Sequence, residues 1–289
     1  METAEIMDGA MRNWGETSEK TAMKSIPVGL AMALLLATSS EAGLIGLWRF
    51  DGNTNDTSGN ANHGSLTNGA SLSSDVPGVL AGGQSLSLAG GNQHVLVPHN
   101  SSLDITSSMT ISAWVKPVGN VGFDGVLAKN PSNGSMSNHA GNYELRIENG
   151  NRRPHFLYQR GGANDTAFAL APTAVVAEGV WSHLAVNVQA GGTVDFYLNG
   201  TFVESVAVEA TFGVPNTNPL YIGSRADLFT TFNGFIDDVA LFDEVLTAGQ
   251  IQQLANGVII PEPSALVSVF TGTLLVAFCA RKSRARSAR

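Results

Sequence analysis

Cysteine is almost missing from this chain. The one thiol, Cys279, lies near its end, so no disulfide can brace the 289 residues, and stability must come from a packed core. Charge is scarce too, with Asp, Glu, Lys and Arg making up 14% of the residues. Between residues 43 and 263, Asp and Glu number 18 against 8 Lys and Arg, a net charge near −10 compared with −8 for the whole chain. So acidic a segment excludes nucleic-acid binding by phosphate neutralisation. Catalytic signatures are absent as well. The six histidines form no His-x-x-x-His pair, there is no Gly-x-Ser-x-Gly elbow, and residues 43–263 offer no thiol nucleophile. Glu144 and Glu148 share one face of Tyr143-Glu144-Leu145-Arg146-Ile147-Glu148, but Arg146 stands between them. They are read as solvated outer-face charges and not as the carboxylate pair, about 5 Å apart, that a retaining glycanase needs.

What is present begins with two long apolar stretches, one near each end. Lys24 precedes residues 26–37, and Ser40-Glu41-Ala42 supplies small residues where a signal peptidase inspects the chain, so cleavage between Ala42 and Gly43 is expected. Residues 23–42 are then a signal peptide. Residues 1–22 carry Glu2, Glu5, Asp8, Glu16 and Glu19 where a signal peptide needs positive charge, and are read as an extension ahead of the true start at Met23. At the other end Pro261-Glu262-Pro263 precedes the uncharged run 264–280, long enough for one transmembrane helix. Arg281, Lys282, Arg284, Arg286 and Arg289 follow, a basic tail that stays cytoplasmic.

The intervening residues are rich in Gly, Asn, Ser and Thr around short apolar runs, which reads as all-β. Strict alternation gives several strands one core face: Trp48 and Phe50; Ile111, Ala113 and Val115; Val194, Phe196 and Leu198. Asn199-Gly200 between two such runs predicts a hairpin, because both residues accept the positive φ of a type I′ turn. One helix is expected, capped by Thr247 with Gln250 and ended by Gly257.

Two resemblances follow from these motifs. Pro-Glu-Pro, a membrane-length helix and an arginine-rich end together resemble the PEP-CTERM sorting signal of Gram-negative bacteria, which places residues 258–289 in that signal. That implies recognition by a membrane-embedded exosortase, transient anchoring in the inner membrane, and delivery to the cell surface or extracellular matrix. Gly46-Leu47-Trp48-Arg49-Phe50-Asp51-Gly52, Met109-Thr110-Ile111-Ser112-Ala113-Trp114-Val115-Lys116-Pro117, Val180-Trp181-Ser182-His183-Leu184-Ala185-Val186, Phe196-Tyr197-Leu198-Asn199-Gly200 and Gly234-Phe235-Ile236-Asp237-Asp238-Val239 resemble, in order, the segments of a laminin-G-like domain. This implies a concanavalin A-like jelly roll over residues 43–257, two antiparallel sheets packed face to face. The compact Glu-x-Asp-x-Glu strand of the laminarinase-type members is absent.

The resemblance also brings the first and last strands together. Asp51 and Asp237, with Asn53 and Asp56 in the adjacent loop, are therefore the expected ligands of a structural Ca²⁺. Trp48, Trp114 and Trp181 lie on motif strands and are expected in the core. Carbohydrate binding uses an exposed aromatic beside polar groups. Phe123 with Asp124, Tyr158, and Phe229 and Phe232 near Asn233 are the candidates. The expected function is that of a non-catalytic surface or matrix protein binding extracellular polysaccharide or another surface protein. A purely structural matrix role and a polysaccharide-degrading enzyme remain open as alternatives.

Overall fold

The computed structural model of the chain describes residues 43–119, 122–129, 142–148, 150–160, 166–208 and 213–260. The expected signal peptide up to Ala42, and the sorting residues Pro261, Glu262, Pro263, Arg281, Lys282, Arg284 and Arg286 with the run 264–280, lie outside them. No helix among the described residues is long and apolar enough to cross a membrane.

Fifteen strands and one α-helix make up the described fold. The strands are β1 (Leu44–Trp48), β2 (Ser65–Thr67), β3 (Ser71–Ser73), β4 (Ser85–Ala89), β5 (His94–Val97), β6 (Met109–Pro117), β7 (Asp124–Lys129) and β8 (Tyr143–Ile147). They continue as β9 (Pro154–Gln159), β10 (Thr166–Leu170), β11 (Ser182–Val188), β12 (Thr193–Leu198), β13 (Thr201–Ala207), β14 (Leu220–Ile222) and β15 (Asn233–Phe242). The helix α1 is Ala248–Ala255. An eight-stranded sheet runs β13-β12-β11-β6-β15-β4-β3, with β1 also paired to β15. A seven-stranded sheet runs β10-β9-β8-β7-β14-β5-β2. The strand pairs in both sheets are antiparallel, which gives the expected two-sheet sandwich.

Alternation fixes which side chains meet between the sheets. Ile111, Ala113, Val115, Val194 and Phe196 from one sheet pack with Tyr143, Leu145, Phe156 and Ile222 from the other, all buried in one cluster. Truncating a ring such as Phe196 to Ala would cost roughly 3–5 kcal/mol through lost burial and the cavity left behind. Asn199 (φ 51°) and Gly200 (φ 75°) form the predicted type I′ turn joining β12 to β13.

Of the three motif tryptophans, Trp48 alone joins this core. The core takes Ala113 and Val115, so alternation turns Trp114 to the outward face, where it is buried beside His183 and the segment 257–259. Trp181 stands just before β11, is half-buried, and donates Nε1–H to Asp75 at 2.8 Å.

That outward face is covered by α1, through a second cluster of Leu44, Leu47, Ala185, Tyr197, Phe242, Leu246, Ile251 and Ile260. Thr247 and Gln250 make the expected capping box. Gly257 (φ 72°) lets the chain leave the helix, and its N–H donates to the Leu254 carbonyl at 3.0 Å. Ile260, three residues past the expected domain end, is still buried.

β15 is the hub of the eight-stranded sheet. It pairs with β6 along one edge, while β4 (through Asn233–Ile236) and β1 (through Val239–Phe242) share the other. Where β4 gives way to β1 the register slips between Asp237 and Ala240, and Asp238 takes φ 43°. Plain alternation would set adjacent Asp237 and Asp238 on opposite faces, but at this bulge both turn outward: Asp237 pairs across from outward-facing Trp114, and Asp238 lines the same outward cavity as Trp114.

Candidate functional site

The outward face of the seven-stranded sheet carries an ion network under an aromatic pair. In β8, Leu145 and Ile147 enter the core, so Glu144 and Arg146 point outward. The turn from Arg225 to Thr230, closed by the Arg225 N–H to the Thr230 carbonyl at 3.0 Å, folds over them. Glu144 is consequently fully buried and not solvated as its position on an outer face suggested. Its carboxylate lies 3.6 Å from Arg146 Nη1 and 3.8 Å from Arg225 Nη1, and Thr230 Oγ1 donates to it at 3.4 Å. Asp227 holds the other side of Arg225, with Oδ1 2.6 Å from Nε and Oδ2 2.5 Å from Nη2. Glu148 is engaged elsewhere, 2.9 Å from Arg153.

Above these charges sit two of the predicted sugar-binding aromatics. The Phe123 and Phe229 rings are 5.8 Å apart. The Arg146 guanidinium lies 4.2 Å from the Phe123 centroid and that of Arg225 4.8 Å from the Phe229 centroid. Each ring is thus seated on a cation that the buried Glu144 holds in place. Phe229 remains 47% exposed. Beyond Arg146, His155 continues the line. Arg146 Nε donates to His155 Nδ1 at 3.4 Å, which leaves the ring hydrogen on Nε2, a buried atom with no hydrogen-bond partner among the described residues. Burial, with Arg146 and Arg153 nearby, lowers the His155 pKa to about 3, so the ring is neutral. Phe168 on β10 closes the row, edge-on to His155 at 5.2 Å and 62% exposed.

Three of the remaining predicted sugar contacts, Tyr158, Phe232 and Asp124, are internal, and Asn233 is half-buried. Tyr158 is on β9, not in a loop, and its ring stacks with Phe156 inside the core. Phe232 is buried in the same core. Asp124 is buried and accepts the Asn233 N–H at 3.3 Å, a link between the sheets' ends. Arg146, His155 and Arg225 were not anticipated. The signal for Arg146 was present, a cation in the middle of an alternating strand between two acids, but the turn that buries it comes from far along the sequence.

The four predicted metal ligands divide. Asp56 turns inward, and its carboxylate accepts from Leu47 N–H (2.9 Å), Ser58 N–H (2.8 Å), Ser58 Oγ (2.9 Å) and Asn62 N–H (2.9 Å). With those bonds made it organises the loop after β1 and has little left for a cation. Asn53 is exposed and accepts the Asn55 N–H at 2.8 Å. Asp237 and Asp238 sit at the β15 bulge, and both feel the charge of Asp51. Arg49 stands among them, with Nε 3.5 Å from Asp51 and 3.4 Å from Asp238. Burial, with Asp238 and Asp51 beside it, pushes the Asp237 carboxyl up to about 8. Among the described residues no three acidic, histidine or cysteine side chains converge as a metal-holding group.

Comparison with known proteins bears on this fold. Residues 89–252 match the Laminin_G_3 family model, described as the concanavalin A-like lectin/glucanases superfamily. The chain is 30% identical over 159 residues to the adhesion G-protein coupled receptor V1 of Danio rerio, a match covering 53% of this chain and 2% of the receptor. Domain 4 of AbnA, a GH43 extracellular arabinanase from Geobacillus stearothermophilus solved in complex with arabinotriose, is similar over 74% of this chain and 99% of that domain, with a TM-score of 0.53 and 20% identity. The receptor binding domain of a botulinum neurotoxin C/D mosaic serotype is similar over 74% of this chain and 51% of that one, with a TM-score of 0.58 and 16% identity. At these identities the solved structures share the fold alone. Since the family model spans more than half of the chain, the chain belongs to the concanavalin A-like lectin/glucanases superfamily.

Proposed function

We propose that this protein is a non-catalytic, exported binding protein whose sandwich holds extracellular polysaccharide against the Phe123–Phe229 pair. One observation carries the reading: an exposed ring, Phe229, is fixed on a guanidinium that is itself tethered to a buried carboxylate. A platform set rigidly before the ligand arrives loses little entropy on binding, and a sugar ring offers it an apolar C–H face with hydroxyls at the rim. The same platform would suit a surface protein, and that partner stands as the second occupant. Export is supported by the signal-like residues ahead of Gly43, and sorting by signal peptidase and exosortase by the order Pro261-Glu262-Pro263, apolar run, basic tail. On this reading the protein reaches the cell surface or matrix after transient residence in the inner membrane.

The test is a glycan array probed with the full chain, including polysaccharide from its own producer. Binding that weakens about tenfold in Phe229→Ala, with unchanged thermal unfolding, is expected. No binding to any glycan would overturn the lectin reading and leave the structural matrix role. Release of reducing ends from any of these glycans, lost on an acid-to-amide substitution, would overturn the non-catalytic one.

A structural calcium ion is a second, separate proposal, kept at Asp51 and Asp237 with Asn53 and Asp56 left out; these two carboxylates would supply part of its oxygen shell, and backbone carbonyls and water the rest. The raised Asp237 pKa supports it, since a buried carboxyl beside two other acids gains from any cation. Millimolar Ca²⁺ should then raise the unfolding temperature and EDTA lower it. An unfolding temperature indifferent to both would overturn it, and would mean that Arg49 is the only cation this cluster uses.

A further inference from the structure

We propose a second saccharide site, in a groove on the outward face of the eight-stranded sheet, that accepts a neutral sugar chain. It rests on reading the protein as a glycan binder but not on the Phe123–Phe229 pair. The groove is open, holds about 260 Å³, and is lined by Ser71, Ser87, Gln93, Asn233 and Phe235 among others. Its floor follows from strand parity. Leu72, Leu86 and Ile236 pack toward the core, so Ser71 on β3, Ser87 on β4 and Phe235 on β15, which pair across from one another, all face outward. One further strand over, Lys116 on β6 pairs with Phe235.

The ring of Phe235 is fixed from its far side. Lys116 Nζ lies 5.5 Å from its centroid and the Trp181 ring 6.3 Å away at 45°. Asp75 ties both neighbours down, accepting from Lys116 Nζ at 2.7 Å and from Trp181 Nε1 at 2.8 Å. The hydrogen bond from Lys116, with that from Trp181, holds the Asp75 carboxyl below its usual range, so it stays ionised and cancels the ammonium. Around the ring the two amides are each anchored by one end. Gln93 Oε1 accepts the Ala89 N–H at 2.7 Å, and Asn233 Nδ2 donates to the Val118 carbonyl at 2.5 Å. The Gln93 NH₂ and the Asn233 Oδ1 take no partner among the described residues.

A flat apolar ring, one amide donor, one amide acceptor and two serine hydroxyls match the surface of a sugar, which alternates C–H patches with hydroxyls that both give and accept. The choice of a neutral sugar comes from charge. The lysine beside the ring is already paired, and a segment carrying a net charge near −10 repels polyanions over the distance at which they would be captured. The Phe123–Phe229 pair, by contrast, belongs to the other sheet, so the two sites face away from the sandwich on different sides.

The site has its own reporter, because Trp181 touches the ring that would stack on the sugar. The full chain is titrated with oligosaccharides of arabinan, xylan and glucan, and with oligogalacturonate as the acidic counterpart, following tryptophan emission. We expect at least one neutral oligosaccharide to change the emission. That change should persist in Phe229→Ala, vanish in Trp181→Phe, and need about tenfold more sugar in Phe235→Ala. Gln93→Ala, a substitution on the groove's rim, should weaken the same response severalfold and serves as the criterion if Phe235→Ala lowers the unfolding temperature. A response lost in Phe229→Ala and intact in Phe235→Ala and Gln93→Ala would overturn the second site and leave the first standing. Stronger binding of oligogalacturonate than of every neutral sugar would overturn the assignment of ligand class. No response to any of the four, combined with a blank glycan array, would remove both sites together.

Discussion

Glu144 and Asp237 are both carboxylates buried on an outward sheet face, and their surroundings could hardly differ more. Around Glu144 the fold has gathered two guanidiniums, each further engaged, and the result is a scaffold on which two phenylalanine rings are held. Around Asp237 it has gathered two more acids and a single arginine, which contacts Asp51 and Asp238, so the carboxyl is held as the neutral acid until about pH 8. Burial alone therefore says little about what a carboxylate does. The sign and number of its neighbours decide whether it is a structural anion or a proton-sensitive one.

The largest effect should come from breaking the first arrangement. Glu144→Ala leaves Arg146 and Arg225 facing each other without the anion between them, and we expect a loss of roughly 3–5 kcal/mol in chemical denaturation together with loss of Phe229-dependent glycan binding. A loss under about 1 kcal/mol would mean that Asp227 alone suffices to hold the network. The second arrangement is read through pH. Asp237 has a folded pKa above its unfolded value near 3.9, so the native state binds the extra proton between about pH 4 and 8. Stability from this group is full below that window and falls as pH rises through it, by up to about 1.4 kcal/mol per pH unit. Asp237→Asn should flatten that slope, and so should a bound calcium ion.

His155 and His183 supply the opposite trend. Both are pushed down to about 3, His155 by burial and the nearby arginines and His183 by burial. Their contribution is full above the unfolded value near 6.5 and is lost as pH falls from there toward 3, because the unfolded chain takes up protons that the native rings refuse. His155→Asn should remove part of the acid limb while leaving the Asp237 limb unchanged, which separates the two faces of the molecule in one titration. The smallest effect is expected from Phe168→Ala. With its ring mostly in solvent, stability should change by less than about 0.5 kcal/mol, while any binding that uses the row of rings across the sheet would weaken.

The sandwich was legible in the sequence because it rests on local, repeated signals. Ile111, Ala113 and Val115 enter the core as their spacing requires, Asn199-Gly200 makes its turn, and Thr247 with Gln250 caps α1. The site was legible only in part. Phe123 and Phe229 are among the aromatics expected at the surface and are found together there, whereas Tyr158, expected beside them, faces the core, where Phe156 two positions earlier on the same strand packs with it. The burial of Glu144 depends on a turn at Arg225 to Thr230, and the meeting of Asp237 with Asp238 depends on a bulge. Neither a distant covering turn nor a slip of register leaves a period in the sequence.

The cluster that seats α1 contains both Leu44 and Ile260, the first strand residue and the last described one. The two ends of the described domain are thus clasped together in one small apolar patch, so that loosening either end uncovers surface the other had kept from water.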